Sequence, residues 1–170
     1  NGTDGMLGML VLACRDLAAL LREVRDGLMT QARAADVDIR LTPFEGSGDT
    51  TGDRSQLYEV FENLLDNAIK YGADGGTVEV SLAPADRPGF QHQVTVIDHG
   101  PGVAPEHVPR LTERFYRTDA DVSRKKKGTG LGLAIVKHVV ANHKGAIKIW
   151  SRPGTGSTFT LELPALKKEG

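Results

Sequence analysis

The sequence predicts an α+β fold, a two-layer sandwich in which a mixed sheet packs on helices, and three observations carry that expectation. The apolar period switches repeatedly between the three-to-four spacing of helices and the alternation of strands. Two glycine clusters, Asp98-His99-Gly100-Pro101-Gly102 and Gly128-Thr129-Gly130-Leu131-Gly132-Leu133, stand where a strand ends and where a helix opens. The chain then finishes on two strand-like stretches around Pro153-Gly154-Thr155-Gly156.

Taken in order, Leu17 to Leu21 reads as the beginning of a strand, and Arg22 to Ala35 as a helix that ends before Asp36. The alternation in Val37-Asp38-Ile39-Arg40-Leu41 marks a half-buried strand. Glu45 to Gly52 is a polar, glycine-rich loop, after which Asp53, or alternatively Ser55, starts a long helix through Tyr71. Val78 to Leu82 and Val94 to Ile97 are strands, the second carrying Asp98 at its C-terminal end. A short helix follows near Pro105 to Leu111. The stretch from Thr118 to Lys127 has no apolar period and is expected to be a mobile loop. Leu131 to Asn142 is a helix, and Ala146 to Trp150 and Ser157 to Leu163 are the final strands.

The chain has 170 residues, 21 basic and 22 acidic side chains and a net charge of −1, which describes one ordinary domain with enough chain for a core. That balance argues against a nucleic-acid partner. Duplex binders carry a strong basic excess, single-strand binders use stacking aromatics, and only 5% of residues here are aromatic. Cys14, the single cysteine, excludes an internal disulfide and fits a reducing compartment. The apolar run from Met6 to Cys14 is stopped by Arg15 and Asp16, well short of the roughly 20 residues a membrane-spanning helix needs. Residues 1–15 are expected to be foreign to the domain or the tail of a preceding helix, 16–165 the domain itself, and 166–170 a polar tail.

The helix from Asp53 to Tyr71 carries the most legible chemistry. At about 100° per residue, Leu57, Phe61, Leu64, Leu65 and Ala68 share one side, while Glu59, Asn63, Asp66, Asn67, Lys70 and Tyr71 share another. Such a polar face can be plain solvated surface. Asparagine, however, is a poor helix former whose side chain competes with the backbone, so Asn63 and Asn67 one turn apart in mid-helix require a reason. An amide oxygen is a hard, neutral donor suited to Mg2+.

Asn63-Leu64-Leu65-Asp66-Asn67-Ala68-Ile69-Lys70-Tyr71-Gly72 resembles the N box of the sensor histidine kinases of two-component systems. Asp98-His99-Gly100-Pro101-Gly102 is similar to their G1 box, Glu113-Arg114-Phe115-Tyr116-Arg117 to the F box, and Gly128-Thr129-Gly130-Leu131-Gly132-Leu133 to the G2 box. Four motifs in that order, across roughly Leu17 to Leu163, are far more specific than any one of them. The wording around Arg110 to Arg117 and Gly132 to His138 further resembles the phosphate-regulon type of sensor kinase.

The resemblance implies the Bergerat, or GHKL, fold shared with gyrase, Hsp90 and MutL, with ATP and Mg2+ as cofactors. Asp98 would accept a hydrogen bond from the adenine amino group, or else merely cap a turn. Gly100 and Gly102 would let the backbone pass close to the base, and His99 would face solvent. Asn67 would be the principal Mg2+ ligand with Asn63 near the same ion or its waters, and Lys70 would counter phosphate charge. Tyr71 would line the adenine or ribose side, or pack at the helix end. ATP-hydrolysing relatives place a glutamate general base at the position of Asn63, and a carboxamide cannot take a proton from water. The pocket is therefore expected to retain ATP for phosphoryl transfer.

Residues 118–130 would form the ATP lid; Arg117, just before it, and Arg124, within it, would chelate phosphate oxygens, while the lysines at 125–127 can be plain solvated surface. Phe115 would anchor the start of this lid by packing on the apolar body. Gly128, Thr129, Gly130, Leu131 and Gly132 would bring helix-opening N–H groups to the phosphates. The cluster follows a basic segment rather than a strand, and no GK[ST] sequence is present, so neither a dinucleotide fingerprint nor a P-loop fits. The histidine spacing suggests no zinc site.

No histidine lies in the family's phosphoacceptor pattern. The resemblance thus implies a catalytic half that phosphorylates a histidine on a separate dimerisation domain, from which a response-regulator aspartate takes the group. The fragment is expected to be monomeric and its parent homodimeric, anchored in the bacterial inner membrane with this domain on the cytoplasmic side. A nucleotide-binding pseudokinase module and a GHKL-type ATPase are the alternatives.

Overall fold

The computed structural model describes residues 10–42, 49–72, 76–116 and 132–164. Strand β1 (Leu10–Ala13) leads into helices α1 (Cys14–Gly27) and α2 (Met29–Ala34), followed by strands β2 (Asp38–Leu41) and β3 (Asp49–Gly52). Helix α3 (Arg54–Gly72) precedes strands β4 (Thr77–Pro84) and β5 (His92–Asp98), and a single 3-10 turn at Val108–Arg110. Helix α4 (Gly132–Asn142) and the hairpin β6 (Ala146–Arg152) and β7 (Gly156–Leu163) complete the described chain.

Among the described residues five strands form one mixed sheet in the order β2-β4-β5-β7-β6, in which β2 and β4 run parallel and the other pairs antiparallel. The register puts Val78, Val80, Leu82, Val94, Val96, Phe159 and Leu161 on one face, and all are buried there against the helices. The α+β sandwich expected from the period switches is the fold observed. The pairing also sets Asp98 on this inner face, opposite Val78 and Ser157.

Four local expectations are corrected. Leu17 to Leu21 lies in α1 rather than a strand: Leu17, Leu20, Leu21 and Val24 are fully buried at three-to-four spacing, while Arg22 and Glu23 are exposed. A short apolar run does not distinguish a buried helix from a strand, and here the longer period decides. The single helix expected over Arg22 to Ala35 is broken at Gly27 and Leu28, where glycine's poor helix propensity lets the chain turn into α2. Within the loop expected over Glu45 to Gly52, residues 49–52 form β3, which pairs antiparallel with β1. That partner lies within the segment 1–15, whose residues 10–13 are therefore extended. The short helix near Pro105 to Leu111 is reduced to one 3-10 turn at residues 108–110.

The long helix keeps its expected faces. Leu57, Phe61, Leu64, Leu65 and Ala68 are buried, and Asp53 caps the start by accepting the Gln56 N–H at 3.1 Å, which selects it over Ser55. Helix α3 lies against α1, α4 and the inner sheet face. The expected mobile loop at 118–127 and the tail at 166–170 lie outside the described residues.

Candidate functional site

Helix α3 is the element against which the first glycine cluster comes to rest, together with Gly132, the described glycine of the second. A Cβ added to Gly72, its last residue, would lie 2.4 Å from the Asp98 Cβ, so only a glycine lets the end of β5 press against the helix. Gly100 closes the same contact, because a Cβ there would meet the Tyr71 carbonyl at 2.6 Å and the Gly72 Cα at 2.7 Å. At the other end, a Cβ on Gly132 would lie 3.3 Å from the Asn63 Oδ1, which seats the start of α4 on the carboxamide. From Asn63 to Gly72 is about 14 Å of helix axis at ~1.5 Å per residue. Asn67 and Lys70, both half-buried, lie between these two approaches.

Asp98 is 5% exposed, and burial is the main influence raising its carboxyl above the ordinary aspartate range. The backbone N–H groups of Gly100, at 3.1 Å, and Ser157 donate to the carboxylate and oppose that shift, as does His99. Two amide donors fix the plane of the carboxylate but leave acceptor positions free, since an ionised carboxylate has about four lone-pair sites. Such a group suits a further N–H donor. Gly102 adopts the left-handed region at φ 69, where a Cβ would lie 2.1 Å from the Arg152 carbonyl. Pro101 accepts the Gly154 N–H at 2.8 Å and Ser151 Oγ accepts the Val103 N–H at 2.9 Å, so the β6–β7 hairpin backs the loop. His99 is exposed, as expected, with its Nε2 2.9 Å from Glu79 Oε2.

On α3, Lys70 Nζ lies 2.9 Å from Asp66 Oδ2, and Gln31 of α2 donates to the other oxygen of that carboxylate. Tyr71 is half-buried beside Gly72, and its carbonyl faces Gly100.

Phe115 departs from expectation. It is 63% exposed, in left-handed backbone at φ 64, with the Arg114 guanidinium over its ring, and it does not pack on the apolar body. The ring that returns to the fold is Tyr116: its hydroxyl bonds to His107 Nδ1, and the Arg110 guanidinium stacks 4.4 Å from its centroid. The backbone reversal at 115 exchanges the roles of the two neighbouring aromatics. Arg117, Arg124, Gly128, Thr129, Gly130 and Leu131 lie outside the described residues.

Two contributors to the site escaped the motif reading. Gly72 was legible as the last residue of the first motif, but its contact with Asp98 is a tertiary fact. Ser157 offers a backbone N–H, which no side-chain pattern reports.

Residues 52–167 match the family model described as histidine kinase-, DNA gyrase B-, and HSP90-like ATPase. The chain is 44% identical over 151 residues to the sensor-like histidine kinase SenX3 of Mycobacterium tuberculosis, covering 89% of this chain and 36% of that protein. It is 49% identical over 112 residues to the phosphate regulon sensor protein PhoR of Pseudomonas aeruginosa, covering 66% of this chain and 25% of that one. The chain thus spans about a third or less of these relatives' length. Among solved structures, the mycobacterial sensor histidine kinase MprB superposes with a TM-score of 0.75 at 28% identity, covering 94% of this chain and 99% of that one. No helix among the described residues is long and apolar enough to cross a membrane.

Proposed function

Because this chain belongs to the family of histidine kinase-, DNA gyrase B- and HSP90-like ATPases, we propose that residues 16–165 are the catalytic domain of a sensor histidine kinase, which binds Mg·ATP and transfers its γ-phosphoryl group to a histidine on a separate domain. The observation that carries this reading is Asp98. Its carboxylate is buried at the end of β5, oriented by two backbone N–H groups and pressed against glycines, so that no neighbouring side chain crowds it at Gly72 or Gly100.

The donor set suits the nucleotide. Asp98 accepts the adenine amino group, Gly100 and Gly102 admit the base, and Tyr71 borders the base or ribose. Asn67 and Asn63 offer neutral amide oxygens for Mg2+, which would neutralise charge on the phosphate oxygens when bound. Lys70, Arg117 and Arg124 counter the phosphate charge, and the backbone N–H groups around Gly128, Thr129, Gly130, Leu131 and Gly132 meet the phosphates at the start of α4. Phe115, exposed beside Arg114, precedes in sequence the segment read as the ATP lid.

Asn63 decides between transfer and hydrolysis, because its carboxamide cannot act as the base that would activate water. The acceptor histidine lies on a dimerisation domain outside this chain, and a response regulator receives the group from there. The parent protein is a homodimer in the inner membrane with this domain on the cytoplasmic side, and the domain alone is monomeric.

The test incubates the domain with Mg2+, γ-labelled ATP and the cognate phosphoacceptor domain, and follows label on histidine. Transfer that Asn67→Ala and Asp98→Asn each suppress is the expected result. Nucleotide binding without transfer would replace this reading with a pseudokinase, and rapid phosphate release independent of acceptor would replace it with an ATPase.

A further inference from the structure

Asp66 stands on the polar face of α3, between Asn63 and Asn67 in sequence, and both oxygens of its carboxylate have partners. Gln31 Nε2 donates to its Oδ1 at 2.5 Å, and Lys70 Nζ lies 2.9 Å from its Oδ2. Gln31 comes from α2, 35 residues earlier in the chain, so a neighbouring helix holds the carboxylate by one oxygen and presents the other to the lysine. The side chains of Asp66 and Lys70 are 29% and 32% exposed, so the pair is not closed off from solvent.

From this geometry we infer that Gln31 is a positioning residue for the phosphate-binding lysine, acting through Asp66; the inference rests on the nucleotide reading above. A lysine has a flexible four-carbon stem and three donors on its head. One donor spent on a fixed carboxylate leaves two for phosphate oxygens, and restricts the stem before the nucleotide arrives. An isolated i,i+4 ion pair at this exposure would restrain Lys70 only weakly. The amide from α2 changes that, because it stops the carboxylate from rotating away.

The experiment compares ATP and adenosine affinity by calorimetry for the wild-type domain, Gln31→Met, Gln31→Glu, Lys70→Met and the double variant Gln31→Met/Lys70→Met. Gln31→Met keeps the length and removes the donor; Gln31→Glu keeps the shape and sets a second carboxylate against Asp66. Both are expected to weaken ATP about three- to tenfold, the range for losing one pre-ordered side chain, and to leave adenosine unchanged. In the Lys70→Met background the Gln31→Met effect should vanish. Equal weakening of ATP and adenosine, an unchanged ATP affinity, or effects that multiply independently with Lys70→Met would overturn the inference while leaving the nucleotide reading standing. A wild-type domain that binds no adenine nucleotide would instead overturn both.

Discussion

The backbone N–H of Asp53 donates to Nε2 of His143, 3.0 Å away across 90 residues of chain, while His143 Nδ1 bonds to the Val139 carbonyl at 2.8 Å. The two bonds assign the neutral tautomer with the proton on Nδ1. One imidazole thereby ties the N-terminal cap of α3 to the last turn of α4, the two helices that carry the candidate site.

Replacing His143 with alanine is expected to lower stability by about 1–3 kcal/mol, because it strands the Asp53 N–H and opens a space beside Gly52. Chemical denaturation of the two proteins measures this. An unchanged midpoint would show that the bridge contributes nothing.

Gly102→Ala should be among the most damaging single changes in the loop after β5. It forces a side chain into left-handed backbone and against the Arg152 carbonyl, both at once. A loss of about 2 kcal/mol or more is expected, together with weaker ATP binding, since the loop must retreat from the hairpin that backs it. Gly154→Ala offers the control: it shares the left-handed backbone at φ 80, but nothing lies within 4 Å of its Cβ, so its cost should be smaller.

Burial raises the Asp98 carboxyl above its unfolded value of 3.8. The native state therefore holds that proton more tightly than the unfolded chain does. This favourable contribution is complete below the unfolded value and is lost as pH rises through the folded one. At neutral pH ionised Asp98 is a stability cost, so Asp98→Asn should melt no lower than wild type while losing ATP affinity. ATP titrations across mildly acidic pH should show affinity falling at a higher pH than an unperturbed aspartate would produce. A variant that melts well below wild type at neutral pH would contradict the sign of this argument.

Glu162 behaves oppositely. Its buried carboxylate is hydrogen-bonded by Arg87, at 2.9 and 3.0 Å from Nε, which holds it below 4.5. The stability it contributes is present above the unfolded value and is lost as pH falls through the folded one. Arg87 is 46% exposed and screened, so Glu162→Gln should cost about 1 kcal/mol at neutral pH. Denaturation at neutral and strongly acidic pH checks this, the difference between the proteins shrinking in acid.

The site was most legible where its chemistry is written along one helix. The shared polar face of Asn63, Asn67 and Lys70 and the Asp53 cap follow from spacing and capping rules that act within a turn or two, while the roles of those residues come from the family resemblance. Phe115 shows the opposite case: it and Tyr116 are adjacent aromatics, and local sequence does not say which of them finds partners, here Tyr116 on His107 and Arg110. Leu17 to Leu21 misled because five residues of apolar chain satisfy a strand as well as a buried helix, and only Val24 and Leu28 beyond them reveal the longer period.

By itself the sequence determined the order of the main helices and strands from α3 onward, the two faces of α3, the acid at the end of β5 and the order of the four motifs. These depend on neighbours within a few residues, where period, caps and glycine act. Only the tertiary structure decided that β1 pairs with β3, that Gly72 receives Asp98, that His143 closes onto Asp53 and that Gln31 reaches Asp66. Each joins segments far apart in the chain, and such contacts exist only once the core has brought their backbones together.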